Sequence, residues 1–131
     1  GLIAMPILDD AVEGSKISAP KVADGVSAMT AISAEALWTM VLCLVVLLTA
    51  TTKSQEGNSH YGLAIGAALT AGAKAIGGIS GGAINPAIGI ALPVLRDDGM
   101  GDIYIYVIGP LVGGLLAAGA FYLLEKPSEL R

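Results

Sequence analysis

The stretch GGISGGAINPAIGIALP, residues 77–93, decides how this chain folds. It is apolar enough to lie in a membrane and too interrupted to cross one as a single helix. Gly77, Gly78, Gly81 and Gly82 permit close approach and backbone angles closed to other residues. Asn85 followed by Pro86 reads as a helix start. Asparagine caps a first turn, and proline lacks an amide that the first turn leaves unpaired in any case. A helix over residues 85–95 follows, with Pro93 and Gly99 marking its exit. A bilayer core of roughly 30 Å needs about 20 apolar residues, so this piece is half a crossing. A break in mid-membrane leaves polar backbone groups bare unless protein or a water-filled cavity satisfies them. The positive end of such a half-helix aims at the bilayer centre, an arrangement that binds or orients polar solutes.

Three flanking stretches are long enough to span. Residues 33–51 centre on MVLCLVVLLTA and carry a single charge, Glu35. Residues 61–79 are rich in Ala and Gly with a single charge, Lys74, and residues 103–124 have none. The expected fold is an all-α integral membrane protein with three transmembrane helices and one re-entrant half-helix. Residues 1–30, with Asp9, Asp10, Glu13, Lys16, Lys21 and Asp24 among small residues, read as an exposed acidic arm. Residues 31–124 form the membrane domain, and 125–131 a short polar tail. The chain begins with Gly1, which implies a processed form or a piece of a longer protein.

Composition narrows the function. Of 131 residues, 54% are hydrophobic and 14% charged, against about 25% charged in a soluble domain. That excludes a disordered chain, and a single cysteine excludes an internal disulfide scaffold. A net charge of -4 without a basic patch argues against nucleic acid. Lys16, Lys21 and Arg96 fall on one side of the membrane and Lys53, Lys126 and Arg131 on the other, so charge does not fix orientation. No catalytic triad, phosphate loop or metal-ligand spacing appears, so an enzyme has no support and no cofactor or metal is expected.

The triplet Asn85-Pro86-Ala87 and its surroundings resemble the aquaporin, or major intrinsic protein, family, in which that triplet is the NPA motif. LAIG at residues 63–66, Ser80-Gly81-Gly82 ahead of the triplet, and Ile108-Gly109-Pro110 followed by Gly113-Gly114 all fit. So do Glu35 and Ala50-Thr51-Thr52. The resemblance covers residues 31–124. It implies one half of a fold built from two inverted halves; the second half is favoured, while the first stays open. Carried over, Asn85 donates to a passing water oxygen, held by Pro86 and Ala87, while carbonyls of residues 81–84 line the wall and Glu35 braces the loop. The filter-equivalent positions are Ala73, Gly82 and Ile88, and Ile88 stands where second halves normally carry arginine. The implied function is passive passage of water or small neutral solutes through a pore completed by a complementary half or a second copy. The alternative is a non-conducting accessory subunit of a larger membrane complex. Lipid bilayer is the surrounding partner in either case.

The remaining features have ordinary readings. Gly62 with Gly66, and Gly109 with Gly113, have the spacing of helix-packing glycines. Trp38, Tyr61, Tyr104, Tyr106 and Tyr122 read as interface anchors. Cys43 is a small apolar filler, Lys74 extends to a headgroup, and His60 is a loop residue.

Overall fold

A computed structural model describes residues 18–125. Helix α1 runs Ala28–Val46 and continues through a π-helical turn, Leu47–Thr51. Helix α2 is Tyr61–Ser80, α3 is Pro86–Arg96 and α4 is Ile103–Leu124, with 3-10 turns at Lys53–Gln55 and Met100–Asp102. The segments Ala28–Thr51, Tyr61–Ser80 and Met100–Leu124 have mean hydropathies of 2.2, 1.4 and 2.0 and are long enough to cross a membrane. Their outer faces carry bare leucines, Leu63 at 79%, Leu115 at 74% and Leu123 at 84% exposure. A water-soluble protein buries such residues, whereas lipid is a good solvent for them.

Helix α1 starts five residues before the apolar run that the sequence suggests. Ser27 is the reason: its Oγ accepts the Thr30 N–H at 3.1 Å and caps the first turn. Residues 28–30 therefore belong to the helix, and Glu35 lies about two turns inside it. At the far end, Thr49 Oγ1 donates to the Val45 carbonyl and Thr51 Oγ1 to that of Leu47, each at 2.6 Å. These hydroxyls compete with amides for the same carbonyls, and the helix widens into its π turn. The Asn58 amide then closes the connection. It donates to the Thr49 carbonyl at 2.7 Å, and its oxygen accepts the Tyr61 N–H at 3.0 Å.

Glycine sets how closely the helices approach. A Cβ on Gly109 would lie 2.7 Å from Glu35 Cβ, and one on Gly113 would lie 2.9 Å from Thr39 Cβ and 3.0 Å from the Met40 nitrogen. Helices α1 and α4 thus meet backbone to backbone. Gly62 and Gly66 behave differently: beyond the adjoining backbone of their own helix, no atom of the described residues lies within 4 Å of their would-be Cβ positions, so they pack against no other described helix. The contact between α1 and α2 is instead made at Gly72, whose would-be Cβ is 3.1 Å from the Trp38 ring. Two aromatic expectations are corrected accordingly. Trp38 faces Gly72 rather than a membrane interface. Tyr106 is fully buried, with Ala31, Ala83 and Ile105, because its hydroxyl has a partner inside.

The N-terminal arm is also folded where it is described. Ala19 and Pro20 are buried, the Ala23 N–H donates to the Ile79 carbonyl at 3.0 Å, and Val22 and Val26 pack against the core. Small apolar residues between the arm's charges make this possible, so residues 18–27 are not a free arm. Asp9, Asp10, Glu13 and Lys16 and residues 126–131 lie outside the described residues.

Candidate functional site

Helix α2 ends at Ser80, and two successive glycines turn the chain off its axis. Gly81 has φ +88° and Gly82 φ +67°, a left-handed region that glycine enters without steric cost. Ile84 is left-handed as well, at φ +51°, which is strained for a β-branched residue and costs on the order of 1–3 kcal/mol.

The amides of this turn lack helical partners, and Glu35 supplies them. Its Oε1 accepts the Ala83 N–H at 3.0 Å and the Ser80 hydroxyl at 2.6 Å, and its Oε2 accepts the Ile84 N–H at 2.6 Å. Ser80 Oγ in turn accepts the Gly82 N–H at 3.3 Å, and the Ser80 carbonyl accepts the Tyr106 hydroxyl at 2.6 Å. Glu35, Ser80 and Tyr106 are all fully buried. A buried carboxylate is costly unless hydrogen-bonded, and bonds to a charged acceptor are the strong ones. The network answers both demands, satisfying the carboxylate and the broken backbone together.

Asn85 follows in extended conformation at φ -157°. Its Oδ1 accepts the Ala87 N–H at 2.9 Å, and its carbonyl accepts the Gly89 N–H at 3.0 Å, so it caps α3 with Pro86 in the first position. Asn85 and Pro86 open on an apolar cleft of about 500 Å³. Its other walls include Thr39, Leu42 and Cys43 from the middle of α1 and Pro110, Leu111 and Gly114 from the middle of α4. The triplet therefore lies level with the central turns of both long helices. The helix length agrees: eleven helical residues, Pro86–Arg96, span about 16 Å, about half of a 30 Å core. Helix α3 returns along α4, where Gly89 has no room for a side chain: its would-be Cβ falls 2.8 Å from Tyr106 Cγ.

The filter-equivalent positions gather around Gly82. A Cβ there would lie 3.2 Å from Ala73 Cα, and Gly82 and Ile88 share a second cleft of about 450 Å³. Ile88 is 43% exposed. Ala73 and Ile88 offer no polar side-chain atom. Sequence reasoning missed Tyr106 and Gly89 as parts of this site. The signal for Gly89 was its position four residues after Asn85, one turn along the helix that must pack. Tyr106 gave no signal, because a tyrosine three residues into a span reads first as an anchor. Among the described residues no group of three or more His, Cys, Asp or Glu side chains is arranged to hold a metal.

Three apolar spans around a half-length helix that stops at their middle define an all-α integral membrane protein with an aquaporin-like half fold. The chain belongs to the major intrinsic protein family, whose model matches residues 2–122. It is 41% identical over 78 residues to the glycerol uptake facilitator protein-like 6 of Lactiplantibacillus plantarum, covering 59% of this chain and 36% of the relative. It is 34% identical over 112 residues to the probable aquaporin TIP4-2 of Oryza sativa subsp. japonica, covering 82% and 42%. It is 33% identical over 117 residues to the probable aquaporin TIP2-2 of Arabidopsis thaliana, covering 88% and 46%. The chain thus spans less than half the length of each of these relatives.

Proposed function

We propose that the chain is one half of a passive membrane channel for water or small neutral solutes, its pore completed by a second half. The observation that carries this reading is the position of Asn85. Its Oδ1 is committed to the cap of α3, which leaves the amide NH2 to donate to a solute oxygen at mid-membrane. The backbone before it supplies acceptors. The N–H groups of Gly82, Ala83 and Ile84 turn inward to Ser80 and Glu35. In a trans peptide the carbonyl points opposite to the N–H, so the carbonyls of Gly81, Gly82 and Ala83 face away from Glu35, along the pore wall. Glu35 braces this wall. The half-helix dipole disfavours cations at Asn85.

A filter of Ala73, Gly82 and Ile88 with no side-chain charge favours small neutral solutes over selective water passage. The outward small-residue face at Gly62 and Gly66 is left for a complementary half or neighbouring subunit. Residues 31–124 are the pore-forming unit, as the second half of the two-half fold.

Proteoliposomes carrying the chain, alone and with a complementary half, test the reading by osmotic swelling. Water or glycerol permeability above empty vesicles is expected, with Asn85→Asp weakening cation exclusion. No permeability under either condition, or a profile indifferent to Asn85, overturns it.

A further inference from the structure

The second cleft is lined by Gly81, Gly82 and Ala83 of the turn, by Ile88 and Leu92 of α3, and by residues 18–21. Among the described residues, Lys21 is the one charged side chain on that lining. Its backbone is held in place. A Cβ on Gly81 would lie 2.6 Å from the Lys21 nitrogen. The neighbouring Val22 N–H donates to Asp102 Oδ2 at 3.4 Å, and the Ala23 N–H donates to the Ile79 carbonyl. The side chain is much less restrained. Its Nζ lies 3.6 Å from Asp98 Oδ1, with the two side chains 65% and 59% exposed. An exposed pair at that separation is weak and screened, so it does not cancel the ammonium charge.

We propose that Lys21 supplies a positive charge at the pore mouth, turning cations away from the cleft above Ile88 while admitting neutral solutes. This rests on the channel reading above. The charge comes from a segment that precedes α1 and folds over the turn, with Asp98 as its adjustable counter-charge.

The test reads that charge without requiring conduction. In a Cys43→Ala background, Ile88→Cys in the purified chain is labelled with two thiosulfonate reagents, one bearing a sulfonate and one a trimethylammonium. The ratio of the sulfonate rate to the trimethylammonium rate is expected to fall severalfold on adding Lys21→Gln, because a positive charge on the cleft lining attracts the one reagent and repels the other. Lys21→Arg should retain the ratio and Asp98→Asn should raise it. A ratio unmoved by Lys21→Gln, or a thiol at position 88 that neither reagent reaches, overturns the proposal. Either result leaves the swelling experiment free to decide the channel reading separately.

Discussion

The carboxylate of Glu35 accepts the backbone N–H of Ile84 at 2.6 Å across 49 residues of sequence. Through it, α1 holds the turn that precedes α3, and the other Glu35 bonds converge on the same five-residue segment, 80–84. Replacing Glu35 with Ala strands two amides and a hydroxyl in a buried site, at about 1–3 kcal/mol for each unpaired group. Glu35→Ala should therefore lower the thermal midpoint in detergent by about 10 °C or more. Glu35→Gln keeps one acceptor oxygen and should fall between. A midpoint unchanged by either substitution contradicts the bracing role.

Ile84 makes a sharper prediction about order. Its left-handed φ of +51° is strained for any residue with a Cβ. Ile84→Ala keeps the strain and loses the buried side chain, whereas Ile84→Gly loses the side chain and relieves the strain. The glycine variant should be at least as stable as the alanine variant, the reverse of the usual preference, as read by chemical denaturation of the two side by side.

The glycines should separate cleanly. Gly113→Ala drives a methyl into the backbone of α1 at Met40 and should cost about 1–3 kcal/mol by overpacking. Gly66→Ala meets no described atom beyond the adjoining backbone of its own helix and should be neutral or stabilise α2 by about 0.5–1 kcal/mol. Parallel melts in one detergent compare them, and equal losses at both positions would contradict the packing described.

Tyr106→Phe removes the hydroxyl that satisfies the Ser80 carbonyl and should cost about 1–2 kcal/mol with no change in overall helicity. Gly89→Ala should cost more, because it pushes α3 off the Tyr106 side chain. Circular dichroism melts give both numbers, and a Gly89→Ala midpoint above that of Tyr106→Phe would argue against the close contact of α3 with α4.

Much of this architecture is written locally in the chain. The half-helix was legible because Asn85 and Pro86 are start signals and an apolar run of that length cannot cross a bilayer. The span at α2 was legible from length and hydropathy to within a residue of Ser80, where Gly81 ends it. What the sequence could not show is which glycine faces what. Gly62 with Gly66 has the same spacing as Gly109 with Gly113, yet only the second pair meets a neighbour in this chain. Spacing defines a helix face, whereas the rotation of that face is set by tertiary contacts such as Gly72 against Trp38. The burial of Tyr106 was hidden for a related reason. Its partner is a backbone carbonyl that becomes free only because α2 stops at Ser80, and side-chain patterns do not report freed carbonyls. The folding of residues 18–27 onto the turn was hidden because scattered charges obscured Ala19, Pro20 and Val22.

After α2 the chain re-enters the membrane from one face, reaches its centre at Asn85 and returns to the same face through α3. Depth measurement in reconstituted bilayers tests this directly, using spin labels on single cysteines in a Cys43→Ala background. Labels introduced by Asn85→Cys should lie deepest, near the bilayer centre, with those from Gly25→Cys and Asp98→Cys both at the same water-exposed surface. A label at position 85 found at headgroup depth, or labels at 25 and 98 on opposite faces, would contradict it.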